Sequence, residues 1–337
     1  MREICAIVLI NVIIGAACAL AQSAEGRKKK NEDKEPVTQT LPLLKDPPAA
    51  VAADSSKLVF HVSPLSNKGL LSPQTREALS ALMKLNHGGQ IVKLRAFVAG
   101  TGDMRRVQTI VSEFFTEKKQ PLPVLTTVQV GALPMEGAQT VIESVSVDKV
   151  DKKVSHPHGL AFFSGQPGDS APEAIARLAK TAGGAMLRVT CFLDSIDRIQ
   201  EAREAAARAF PSAAVNFVQP LRAGLNPAAM CEGVGESVIA GAPSKLVFTG
   251  AQMAFRDQDG DLRLAFQRLE KALEPFGASL QDTVSSTLYG LSAEIAERTR
   301  SIATGFLPTP PGMTLLVEGL PSLDASVAIE VVAASRN

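Results

Sequence analysis

The stretch "PVLTTVQVGALP", residues 123–134, has the pattern of a β-strand, because Val124, Val128 and Val130 share one face with Thr126 as the fourth residue of that face. A second stretch, "PGMTLLVEGLP" at residues 311–321, repeats this pattern and also ends in Leu-Pro. A strand pattern that occurs twice in one chain indicates an internal repeat, and the length of that repeat determines how the fold is divided into units.

Three landmarks recur at nearly the same interval. The two Leu-Pro pairs are 187 residues apart, as are Glu143 in "TVIESVSV" and Glu330 in "VAIEVVAA". The motif "KLVF" begins at Lys57 and again at Lys245, an interval of 188 residues. A near-constant offset over three landmarks indicates a duplicated unit rather than chance similarity.

A third copy lies between these two, because "LRVTCFLDS" at 187–195 matches "KLRAFVAG" at 93–100 and "TVSSTLYG" at 283–290. We therefore predict repeats at 56–150, 155–240 and 244–337, of which the middle one is the most degenerate. Each repeat has the order strand, helix, strand, helix, strand, strand. The fold class is α+β, with two helices on one face of each sheet and the sheets packed against one another.

The composition favours a folded protein without nucleic acid or an anionic membrane surface as partner. Apolar residues make up 45% of the 337 residues, and 35 basic residues nearly balance 34 acidic ones. The chain has no Trp and one Tyr, which argues against a stacking surface for single-stranded nucleic acid.

The N-terminus has the features of an export signal. An apolar run from Ile4 to Leu20 ends in the small-residue cleavage pattern Ala19-Leu20-Ala21. We predict a signal peptide at 1–21, an exported protein with no membrane association after cleavage, and a disordered linker at 22–55. The alternative is an uncleaved membrane anchor at residues 4–20, which the basic cluster after it would orient.

The remaining cysteines and histidines predict no cofactor and no metal. Cys191 and Cys231 are too few for a disulfide framework, and we expect two buried thiols. His156-Pro157-His158 lacks a further ligand at metal-binding spacing, and we expect it to lie in a solvated linker.

The third repeat resembles a known family. From Lys245 to Ala334 the chain contains "FGASLQDTVSSTLYG", "TLLVEGLP" and "VAIEVVAA" in the order found in the RidA (YjgF/YER057c/UK114) family, and "SGQ" at 164–166 supplies that family's turn in repeat 2. The resemblance implies a chorismate-mutase-like fold. Since family members are homotrimers with a ligand cleft at each subunit interface, three RidA-like copies in one chain imply a monomeric pseudo-trimer with a small-molecule ligand.

The resemblance also implies positions for the site. The family places an Arg at the start of the penultimate strand, where a planar guanidinium grips the substrate carboxylate. Here that position falls on Leu125, Ala213 and Gly312, none of which can do so. The family's water-positioning Glu is retained, however, and further positions belong to the cleft walls. The Glu positions are Glu143, Glu232 and Glu330, and the wall positions are Ser164, Gln166 and Gln252.

Two functions remain open on this evidence. The first is a binding module that has lost deaminase activity and holds a small metabolite or a protein partner in its clefts. The second is an enamine or imine deaminase, releasing ammonia, in which the retained Glu residues position water. A cyclic-amide hydrolase ranks last, because the "SGG" signature of that class is absent from the sequence.

Overall fold

The computed structural model describes residues 43–100, 102–149 and 156–336. Within these ranges the first strand, β1, lies ahead of the first repeat, and the same six-element order follows three times. Repeat 1 consists of β2 (Leu58–Val62), α1 (Leu71–Leu85), β3 (Ile91–Ala99), α2 (Arg105–Glu117), β4 (Val124–Val130) and β5 (Thr140–Val147), and β1 is Ala50–Asp54. Repeat 2 consists of β6 (Leu160–Gly168), α3 (Ala171–Ala182), β7 (Met186–Leu193), α4 (Ile199–Ala209), β8 (Ala214–Val218) and β9 (Ala229–Glu236).

Repeat 3 differs only in its first strand, which is divided in two. It consists of β10 (Lys245–Thr249), β11 (Gln252–Phe255), α5 (Asp259–Leu273), β12 (Thr283–Gly290), α6 (Ala293–Ala303), β13 (Met313–Leu316) and β14 (Ala325–Ala334). Both β10 and β11 pair with β14. The α+β fold with three repeated units is therefore confirmed.

Each repeat forms its own sheet with one strand order: first, last, second, third. The second and third strands are parallel, and the last strand is antiparallel to the second. Helices cover one face of each sheet. In α5 the periodic residues Leu262, Phe266, Leu269 and Leu273 are all buried against that face, as their helical spacing predicts.

The other faces of the three sheets pack against one another around a common centre. Phe97, Phe192 and Tyr289 occupy the same position on the second strand of their repeats, two residues beyond the residue that pairs with the last-strand Glu. All three side chains are completely buried in one apolar cluster, and the rings of Phe97 and Phe192 meet edge to face at 5.9 Å. The second strands are thus buried on both faces.

The predicted disordered linker contains structure at its end. Ala50–Asp54 forms β1, which pairs antiparallel with β10 of repeat 3. The prediction for 22–55 is wrong over these residues, because the edge of β10 offers unpaired backbone groups that a short apolar segment satisfies. Residues 22–42, like the predicted signal peptide, lie outside the described residues.

Two sequence-based interpretations of single residues are also corrected. Cys191 and Cys231, expected as separate thiols, form a disulfide, because the register of β7 with β9 places them directly opposite each other. His156, expected in a solvated linker, is buried. Its Nδ1 lies 3.2 Å from Oε1 of Glu236 and its Nε2 lies 2.8 Å from the carbonyl oxygen of Leu58, so it ties repeat 2 to repeat 1.

Candidate functional site

The three last-strand glutamates meet at the centre of the molecule. Each lies opposite a second-strand residue of its own repeat: Glu143 opposite Arg95, Glu232 opposite Thr190, and Glu330 opposite Thr287. Because these strands face the common centre, equivalent side chains of the three repeats converge there. The three glutamates are 2%, 7% and 5% exposed, respectively.

One guanidinium connects these carboxylates. Nε of Arg95 donates to Oε2 of Glu143 at 2.9 Å, and Nη2 donates to Oε1 of Glu232 at 2.6 Å. Nη1 lies 3.9 Å from Oε1 of Glu330. The fork of a single arginine therefore reaches a carboxylate from every repeat, which suits its planar arrangement of donors.

Neighbouring groups complete the coordination of two of the glutamates. Glu330 accepts from Nζ of Lys93 at 2.7 Å, from Oη of Tyr289 at 3.0 Å, and from the hydroxyl of Thr126. Oε1 of Glu143 accepts from the Thr190 hydroxyl at 2.7 Å and from the Asn216 amide at 2.8 Å. Both oxygens of each carboxylate are therefore in use.

A third cation, Arg188, brings the charged side chains at this point to three positive and three negative. Arg188 lies 3.5 Å from Oε2 of Glu143 and 3.6 Å from Oε1 of Glu232. We call the set of Lys93, Arg95, Arg188, Glu143, Glu232 and Glu330 the ionic centre. Buried charges persist in proteins when they are paired and hydrogen-bonded in this way.

The electrostatics of the ionic centre keep Glu143 and Glu330 ionised. Burial raises the pKa of Glu330, but the nearby Lys93 and Arg95 more than offset this and lower it from 4.5 to about 2. Burial likewise opposes ionisation of Glu143, and Arg95 and Arg188 hold its pKa below its ordinary value. A carboxylate that stays deprotonated and fully hydrogen-bonded is a poor general acid or base at neutral pH.

Three clefts lie between the repeats, and we name each for the two repeats that line it. Of the side chains in the ionic centre, only Glu232 lines one of these clefts. Cleft 1–2 is lined by Ala213 and Val215, and cleft 1–3 by Leu125 and Gln252, with Pro47 and Pro48 at its edge. Cleft 2–3 is lined by Gly312, Ser164 and Glu232. The positions assigned to the lost Arg thus line clefts between repeats.

The structure separates the predicted glutamates from most of the predicted cleft residues. Glu143 and Glu330 line none of the three clefts, while Glu232 lines cleft 2–3. Gln166, predicted as a wall residue, also lies outside the lining of cleft 2–3, and its side-chain amide donates to the carbonyl of Ser164 at 3.1 Å.

The register of the strands corrects one predicted position. Leu125 lies opposite Leu94, one residue before the position opposite Arg95, and the equivalent residue in repeat 2 is Val215, opposite Val189. The sequence alignment gave Ala213 because it counted from Pro211, which lies three residues before the start of β8, whereas Pro123 lies immediately before the start of β4. Valine offers no charge either, so no repeat has the arginine.

Sequence reasoning missed the cations of the ionic centre. Lys93 and Arg95 interrupt the otherwise apolar strand "IVKLRAFVA", and Arg188 does the same in "MLRVTCFL". A charged residue within a strand buried on both faces signals a buried ion pair. That signal was present in the sequence, but the partners became identifiable only when the repeats were brought together.

The described residues contain no group of three or more His, Cys, Asp or Glu side chains that could hold a metal ion. The search for membrane-spanning helices, made over the same part of the chain, found none of sufficient length and apolar character.

Solved structures similar to this chain belong to two groups. A chorismatase matches with a TM-score of 0.44 and 12% identity, over 85% of this chain and 77% of its own. Members of the YjgF/YER057c/UK114 and related families match over single-repeat lengths. The member from Mycobacterium tuberculosis is 24% identical over 26% of this chain and 78% of its own, with a TM-score of 0.25.

E. coli TdcF, solved with bound serine, matches at 22% identity over 31% of this chain and 94% of its own, with a TM-score of 0.25. No protein-family model and no curated protein matches the chain. The resemblance stated from the sequence is one of fold: these family members match over the length of one repeat, and the three sheets of the chain share one strand order.

The ionic centre predicts a specific pH dependence of stability. The folded pKa of Glu330, about 2, lies below its ordinary value of 4.5. This group therefore stabilises the fold fully above pH ~4.5, and its contribution is lost as pH falls through the folded pKa. We expect a loss of about 3 kcal/mol from Glu330 by this route, measured as the free energy of urea unfolding between pH 6 and pH ~2.

The control is the double variant Lys93→Met/Glu330→Gln, which removes both charges of one pair and so leaves neither unpaired. Its unfolding free energy should change less steeply with pH in the same range. Equal slopes for the variant and the parent protein would contradict the assignment of Glu330 as an ionised, paired group.

Proposed function

We propose that this protein is an exported, monomeric RidA-like pseudo-trimer that binds a small molecule in a cleft between its repeats, without deaminase activity. The observation that carries this proposal is the separation of two of the predicted glutamates from the clefts between the repeats. The clefts contain Leu125, Val215 and Gly312 where a carboxylate-gripping guanidinium would be required. The fully coordinated glutamates Glu143 and Glu330 lie elsewhere, in the ionic centre.

Deaminase chemistry of the family type needs an anion grip and a carboxylate beside the same substrate. Cleft 1–2 and cleft 1–3 have neither group from the predicted set. Cleft 2–3 has a carboxylate, Glu232, but its Oε1 is held by Arg95 at 2.6 Å. This arrangement favours binding over turnover.

A second candidate function rests on Glu232 alone. Because it lines cleft 2–3, it could position water for hydrolysis of an imine that carries no carboxylate. An uncharged imine would need no guanidinium, so the absence of the arginine does not count against this reaction.

Export is part of the proposal and is supported by the apolar segment at residues 4–20. The disulfide between Cys191 and Cys231 adds support, because disulfides persist mainly in oxidising compartments outside the cytosol.

The activity is tested by ammonia release from 2-iminopropanoate and from an uncharged imine. We expect no release above the buffer rate from either compound, because no described cleft combines an anion grip with an unpaired carboxylate. Release that persists in Thr127→Ala but disappears in Glu232→Gln would contradict the proposal and favour the deaminase. Thr127 is the matched control, since it lines cleft 1–3 and lies outside the ionic centre.

Introducing an arginine at the position where the family has one tests whether its absence determines which ligands the cleft binds. Gly312 is exposed and its backbone conformation does not require glycine, and a Cβ added there would meet Ser164 Cβ on β6 at 3.3 Å, a tight contact that a shift of a few tenths of an ångström relieves. We expect Gly312→Arg to bind 2-oxobutanoate at least about tenfold more tightly than the parent protein, as one charge-assisted hydrogen bond provides. Calorimetric titration measures this, with Gly312→Gln as a control of similar length. Equal affinity of Gly312→Arg and Gly312→Gln for 2-oxobutanoate would contradict the expectation that an arginine at this position binds the carboxylate.

A further inference from the structure

The three clefts differ in chemistry, and cleft 2–3 has the most hydroxyl groups in its lining. Its walls carry Ser164, Thr283, Ser285, Ser286 and Thr309. Cleft 1–2 is lined mainly by apolar side chains with Arg203 at its edge, and the chain's own Pro47–Ala49 segment lies along cleft 1–3. A ligand bound in cleft 2–3 would meet many groups that both donate and accept hydrogen bonds.

Two buried polar atoms at this cleft have no hydrogen-bond partner among the described residues. One is Oγ1 of Thr283, which lines the cleft itself. The other is Nε of Arg188, which borders an adjoining cavity of about 30 Å³ that shares Glu232, Ser285 and Ser286 with the cleft. Unsatisfied buried groups cost free energy unless a water molecule or ligand pairs with them. A ligand hydroxyl in the cleft would supply a partner for Thr283 on rotation of that side chain, and the cavity beside Arg188 has room for one water molecule.

The charges at the cleft are already balanced. Oε1 of Glu232 pairs with Arg95 at 2.6 Å and with Arg188 at 3.6 Å. No ion pair or hydrogen bond among the described residues uses Oε2 of Glu232. A ligand of either charge would upset this balance in a partly buried site, whereas a neutral hydroxyl can donate to a carboxylate oxygen without adding charge.

The cleft also has an apolar wall and a suitable size. Phe162 and Phe163 line it, together with Met313. Its volume of about 350 Å³ lies at the lower end of the range for small-molecule sites, roughly 300–1,000 Å³. Hydroxyl groups, a paired carboxylate and apolar side chains in one lining match a molecule that has polar edges and an apolar face.

We propose that cleft 2–3 binds a neutral polyol of monosaccharide size. Hydroxyl groups of the ligand pair with Thr283 and Glu232, and its C–H face packs against Phe162. This inference rests on the proposed binding function and specifies the cleft and the class of ligand.

The test is calorimetric titration of the full chain with D-glucose, D-ribose and myo-inositol, alongside the anion 2-oxobutanoate and the cation ethanolamine. We expect at least one polyol to bind, and neither ion to bind. Thr283→Val and Ser285→Ala should each weaken polyol binding about fivefold, the equivalent of one hydrogen bond. Thr127→Val, the matched change in cleft 1–3, should leave it unchanged.

Three results would overturn this inference. They are binding of an ion but of no polyol, no binding of any probe, and polyol binding that Thr283→Val does not weaken. The proposed function is judged separately. Ligand binding that is lost in Ala213→Phe, which fills cleft 1–2, would preserve it while refuting the polyol site in cleft 2–3. Ammonia release that depends on Glu232 would refute the proposed function itself.

Discussion

The contact of Arg95 with carboxylates from all three repeats is the interaction on which the assembly depends. It bonds to Glu143 within its own repeat and to Glu232 of repeat 2, and it lies 3.9 Å from Glu330 of repeat 3. Without a cation at this point, three buried carboxylates would face one another in a medium that screens charge poorly. Glu143 and Glu330 gain their low pKa values from this cation and its neighbours, and they lose their availability for chemistry.

This arrangement requires one chain rather than three identical ones. In a homotrimer the positions of Arg95, Thr190 and Thr287 would be the same residue, so the centre would hold three arginines or none. Fusion of the repeats allows one arginine to serve three glutamates, with threonines filling the other two positions. The same freedom explains why Tyr289 stands where the other repeats have Phe97 and Phe192: its hydroxyl bonds to Glu330 at 3.0 Å.

Periodicity and internal offsets were sufficient to predict the repeats, because burial imposes the same spacing on each copy. The separation of these glutamates from the clefts could not be predicted from periodicity and internal offsets. A resemblance places Glu143 and Glu330 on the correct strands, but which side of a strand faces a cleft depends on how three sheets pack. Arg188 and Lys93 become partners of distant glutamates only in that packing. Ala213 was misassigned because Pro211 lies two residues farther from β8 than Pro123 lies from β4, so the two prolines are not equivalent landmarks.

The most direct test compares the stability of Arg95→Met with that of Arg95→Met/Glu232→Gln, measured as the free energy of urea unfolding. Removing one partner of a buried ion pair typically costs about 3–5 kcal/mol, because a charge is left unpaired. We expect such a loss for the single variant and recovery of a large part of it in the double variant, in which Lys93 remains paired with Glu330 and Arg188 with Glu143. A double variant no more stable than Arg95→Met would contradict the claim that Arg95 holds the centre together by neutralising these glutamates.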